Sequence, residues 1–139
     1  MQEANETKKM TKQEILEIFK SEYNSVLRKY ERKVEKYALE MNENYEYFFR
    51  WHSDEMYKAQ VNLTAVRELR PMTALDDLDK IKTCLSNHIG NIEHTLIEGS
   101  QTPSSTNMMM NAAEVLKRVA MQELRGDLQR LLWAITCNE

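Results

Sequence analysis

Residues 12–69 read KQEILEIFKSEYNSVLRKYERKVEKYALEMNENYEYFFRWHSDEMYKAQVNLTAVREL, and how this stretch folds decides the architecture. It contains neither proline nor glycine. Its apolar residues keep a rhythm of four, four and three: Ile15, Phe19, Tyr23, then Val26, Tyr30, Val34, then Tyr37, Met41, Tyr45, then Phe48, His52, Met56, then Ala59 and Leu63. That is an eleven-residue period, about 3.67 residues per turn, close to that of a straight α-helix. Only His52 in the stripe is clearly polar, and the phase runs through Asn42 to Asp54 without a slip. The unbroken phase predicts one helix over about 12–69, roughly 87 Å long at the rise of an α-helix. Helices in globular proteins are usually far shorter. The alternative is a break near 42–54, where Asn42-Glu43-Asn44 or Ser53-Asp54 would end one helix and cap the next. That break would give a four-helix bundle.

Outward from this stretch the punctuation is clear. Thr11 and Glu14 form a T-x-x-E capping box, with Met10 and Ile15 placed as the staple around it. Residues 1–10 are polar and expected to be a disordered tail, and 11–139 one helical domain. Arg70-Pro71-Met72 stops the first segment, and Thr73 is the expected cap of a second helix over about 74–98. Asp76, Asp77 and Asp79 favour the positive end of its dipole. Leu75, Leu78, Ile81, Leu85, Ile89, Ile92 and Leu96 form its apolar stripe, and Gly99 its stop. Residues 99–107 (GSQTPSSTN) read as a flexible loop. A last helix over about 108–137 starts between Asn107 and Ala112. Ala113, Leu116, Ala120, Leu124, Leu128, Leu131 and Ile135 carry its stripe. The fold class is therefore all-α, a bundle of long amphipathic helices.

Composition bounds the function. The 139 residues hold 19 basic and 22 acidic side chains, a formal charge of −3, which argues against a general polyanion binder. Apolar residues make up 42% in regular patterns, which argues against disorder. Cys84 and Cys137 lie far apart without a CxxC spacing, suiting a reducing compartment. There is no signal-like apolar segment and no apolar run of the roughly 20 residues a membrane span needs. A cytoplasmic location, with no membrane contact, is the expectation.

Candidates for chemistry are few. HExxH, P-loop, GxGxxG and nucleophile-elbow motifs are missing, and no pair of E-x-x-H motifs supports a di-iron site. His88 and His94 are six residues apart on different helix faces, and His94 pairs with Glu98 at a spacing common on solvated helices. No acid, base and nucleophile assemble, so the expectation is a protein that is not an enzyme and carries no metal or cofactor.

Two surfaces remain. Tyr45, Tyr47, Phe48, Phe49 and Trp51 form the densest aromatic cluster. On a continuous helix Tyr45, Phe48, Phe49 and Met56 share the main face, while Tyr47 and Trp51 point to nearly the opposite side. The cluster reads as ordinary bundle core, with Tyr47 and Trp51 the candidates for contact with a partner. Arg28, Lys29, Arg32, Lys33 and Lys36 fall within about 140° of arc, a basic strip that reads as a solvated face or, alternatively, as an anion-binding surface for nucleic acid. Met108-Met109-Met110 is expected to cover the open end of the bundle. A 58-residue helix has a stripe too long for two shorter helices to cover, which predicts a homodimer. The resulting expectation is a helical scaffold or adaptor acting through self-association and protein contacts; the alternative is a nucleic-acid-associated accessory protein.

Overall fold

The computed structural model describes residues 10–99 and 107–139. Residues 1–9 of the expected tail, and the loop expected over 99–107 apart from its two end residues, lie outside them; Met10, also expected in the tail, is partly buried against the core. The all-α class is realised. Five α-helices, α1 (Lys12–Glu43), α2 (Tyr45–Trp51), α3 (Ser53–Glu68), α4 (Leu78–Gly99) and α5 (Met108–Thr136), are joined by a short 3-10 turn at Arg70–Ala74, and the described residues contain no strand.

The long first segment is not one helix. It breaks at Asn44 and again at His52, and α3 returns antiparallel along α1. Asn44 leaves helical backbone (φ −153°, ψ 73°), and its side-chain oxygen accepts the Tyr47 N–H at 3.2 Å while its own N–H closes α1 on Glu40. Asn competes with the helix by such local bonds, which is why it caps. His52 makes the second corner (φ −130°, ψ 3°), and its Nδ1 meets Glu40 Oε1 at 2.6 Å. Twelve residues along a straight helix span about 18 Å, so this pair exists only because the chain has doubled back. At the other end the Tyr23 hydroxyl donates to the Val66 carbonyl at 2.5 Å. The stripes of α1 and α3 turn towards the same core, but the phase is lost between the corners, where Tyr45 of the stripe is exposed.

The remaining boundaries follow their caps. At Thr11 the capping box forms both ways, with bonds of 2.8 and 3.1 Å to Glu14. Thr73 does not cap α4: Pro71 sets a 3-10 turn in which the Thr73 hydroxyl donates back to Arg70. The cap passes to Asp77, whose carboxylate accepts from the N–H groups of Asp79 and Lys80, and α4 starts at Leu78, four residues later than expected. Asn107 caps α5 by accepting from Met109 and Met110 N–H.

α1 packs on α3 and α5, and α5 also packs on α3 and α4. The core runs through Ile15, Phe19, Tyr23, Val26 and Tyr30 of α1, Leu63 and Val66 of α3, Ile81, Leu85, Ile89 and Ile92 of α4, and Leu124, Leu128, Leu131 and Ile135 of α5. Beyond Val34 the α1 stripe is only half-buried, so the α1–α2 corner forms the thinner end of the molecule. Because α3 covers α1, the uncovered seam from which a homodimer was expected is not there.

Candidate functional site

α2 is short, and as a separate element it aims its side chains independently of α1. Only Phe48 turns inward, 3% exposed, whereas Tyr45, Tyr47, Phe49 and Trp51 are 68%, 47%, 59% and 61% exposed. The cluster is therefore not bundle core, and Tyr45 and Phe49 do not share the buried face with Phe48. At about 100° per residue, with Phe48 pointing in, Glu46 and Arg50 lie about 160° away on the outermost strip. Tyr45 and Phe49 form one flank and Tyr47 and Trp51 the other. The rings brace one another: Tyr45 and Phe49 meet edge to face at 6.3 Å, and Phe48 and Phe49 at 5.2 Å. Tyr37 and Tyr47 contact the His52 ring at 5.3 and 5.5 Å, so the corner that carries α2 is held by the His52–Glu40 pair and two aromatic rings. Neither Glu46 nor Arg50 has an ion-pair partner among the described residues.

Within the basic strip, Arg28, Arg32 and Lys36 are exposed, while Lys29 and Lys33 turn towards α5. Lys29 Nζ reaches the buried Asp127 carboxylate of α5 at 2.8 and 3.0 Å and Glu123 at 3.2 Å. Lys33 also meets Glu123, at 3.4 Å, and Arg28 pairs with Glu31 at 3.5 Å. Lys36 lies over the Tyr37 ring at 5.3 Å, and Arg32 is exposed. Three of the five cations thus face carboxylates.

Behind Lys29 lies a polar cluster that periodicity did not reveal. Asp127 is 1% exposed and accepts from Lys29, from Arg130 at 3.0 Å and from the Tyr30 hydroxyl at 2.5 Å. Burial, then the adjacent Asp127 carboxylate, push the Tyr30 hydroxyl far above its ordinary range, so it remains a donor. At Glu123 burial pushes the carboxyl up, but the Lys29 and Lys33 ammonium groups outweigh it and hold it below the usual range. With every partner satisfied this cluster ties α1 to α5. The signal in the sequence is that Asp127 falls in phase between Leu124 and Leu131, on the apolar face of α5.

Among the described residues no three His, Cys, Asp or Glu side chains are placed to hold a metal ion. His94 and Glu98 pair at 2.9 Å on the surface. Met108, Met109 and Met110 are 83%, 80% and 59% exposed, so they do not cover the end of the bundle, because Asn107 starts α5 beyond the packed layer. No described helix is long and apolar enough to cross a membrane. Comparison of the chain with protein-family models, with curated proteins and with solved structures gave no match.

Proposed function

We propose that this chain is a cytoplasmic, non-enzymatic helical scaffold that self-associates through α2. One observation carries the proposal: four of five aromatic side chains on one short helix stand exposed. Burial of such rings against a partner is favourable at roughly 25 cal/mol per Å² of apolar area. The charges argue for a second copy as that partner. In a two-fold contact residue i meets j and j meets i. Two α2 helices laid antiparallel would set Glu46 of each against Arg50 of the other, between flanking aromatic rings. A surface with both signs four residues apart is complementary to itself.

Light scattering after gel filtration tests this, with a mass of twice 16.4 kDa expected at tens of micromolar protein. A monomer mass there rejects self-association. Glu46→Arg and Arg50→Glu singly should each weaken the dimer, and the double exchange should restore it; additive losses would reject the antiparallel pairing. Trp51→Ala should weaken association about tenfold, near 1.4 kcal/mol, with the unfolding midpoint unchanged when read at protein concentrations low enough for the chain to be monomeric.

A further inference from the structure

A groove of about 440 Å³ opens between α3, α4 and α5. It exists because α3 and α4 both pack on α5 but have little contact with each other. Its floor is apolar: Val61, Ala65, Ile92, Met121, Leu124 and Leu128 are buried or half-buried. The polar residues that line it, Tyr57, Thr64, Glu68, His88 and Lys117, are all exposed. The volume falls in the range of small-molecule sites, which are mainly apolar with a few placed polar groups.

Lys117 breaks the pattern of its own helix. Lys117, Met121, Leu124 and Leu128 follow steps of four, three and four, so they share the apolar face of α5. The Lys117 ammonium has no carboxylate partner among the described residues. A cation at the head of an apolar floor is complementary to an anion with an apolar tail. Helix directions fix what lies at the other end. α1 runs antiparallel to α5, through Lys29–Asp127 and Lys33–Glu123, and antiparallel to α3, through Tyr23–Val66 and Glu40–His52. α3 and α5 therefore run the same way, which puts Tyr57 near Lys117 and Glu68 near Leu128. α4 runs against α5, since Lys82 meets Glu139 and Glu93 meets Arg125, so His88 joins Glu68 at the far end. From Lys117 to Leu128 the floor is about 16 Å long. The Glu68 carboxylate repels a second anion, so an anionic head has one place to sit.

We propose that this groove binds a medium-chain aliphatic carboxylate, of about eight to ten carbons to fit that length. Its head pairs with Lys117 and its tail lies over Met121 and Leu124. The floor supplies most of the affinity, and Lys117 selects for the anion.

Octanoate, octanol and octylammonium share a tail and differ in the head. Titrated into the full chain at neutral pH and followed by amide NMR, octanoate should shift the backbone signals of Ala65, Ile92 and Met121. The signals of Tyr47 and Trp51 on α2 should stay in place. Octanoate should bind about fivefold more tightly than octanol, the less water-soluble of the two, with octylammonium weakest. Added salt should shrink that advantage. Because Lys117 is exposed, Lys117→Gln should fold as the wild type does and bind octanoate and octanol alike. Lys117→Glu should prefer octylammonium. Met121→Trp, which fills the floor from α5, should lose all three probes. Equal binding of octanoate and octanol by the wild-type chain overturns the proposal and leaves an apolar groove suited to another protein's helix. Unchanged octanoate binding in Lys117→Gln, shifts confined to α2, or no binding at millimolar concentration overturns it equally.

Discussion

At the residue scale the decisive group is Asp127. Its carboxylate is 2% exposed and holds Lys29, Tyr30 and Arg130 at once, so it carries the polar link between α1 and α5. Truncating one member of a buried charged set leaves the others stranded, which costs more than the set contributes net. Asp127→Ala should lower stability by about 3 kcal/mol, measured by urea unfolding. Asp127→Leu combined with Tyr30→Phe should cost less than Asp127→Leu alone, because the stranded hydroxyl goes with its acceptor while Lys29, a third exposed, can turn to water. A double variant worse than the single would mean that Tyr30 serves another partner. Asn62 is the contrasting case: equally buried, but with half of its amide unused.

At the scale of elements the helices owe their ends to side chains and their interiors to packing. Thr11, Asn44, Asp77 and Asn107 each give an oxygen to N–H groups that a helix start leaves open. All four residue types are legible as caps, yet the sequence alone does not say which of several adjacent candidates is used. Thr73 and Asp77 compete for α4, and Pro71 decides by committing Thr73 to the 3-10 turn. Two glycines run against the helical trend. Gly90 and Gly126 lie inside α4 and α5, and a Cβ added at either meets nothing within 4 Å. Gly90→Ala and Gly126→Ala should therefore each stabilise by about 0.5–1 kcal/mol, read as a rise of about 3 °C in Tm. A fall at either position would show that the open space there is occupied in solution.

For the whole molecule, stability should depend on acid pH through Glu123. Its carboxyl is held below the ordinary range in the fold by Lys29 and Lys33, so its contribution is present above the unfolded value of about 4.3. That contribution is lost as pH falls through the folded value. The Glu123 side chain is 42% exposed, so solvent screening limits the effect to no more than about 1 kcal/mol. Between pH 5 and pH 3 the wild type should lose more stability than Glu123→Gln, with a constant difference above pH 5; parallel loss would mean that the pairs do not form. The acidic groups of α5 also meet two lysines of the basic strip, Glu123 with Lys33 and Asp127 with Lys29, across 90 and 98 residues of chain. Helical class, the stripes of α4 and α5 and the stop at Pro71 were determined by the sequence itself, because periodicity and capping act over a few residues and leave a local trace. Where the first segment folds back, which aromatics face water, which lysines are neutralised and which amide oxygen is left unpaired were decided only by the tertiary structure. A stripe records that a face is buried, not what buries it, and α3 reaches α1 as part of the same chain at an effective concentration a second molecule does not match.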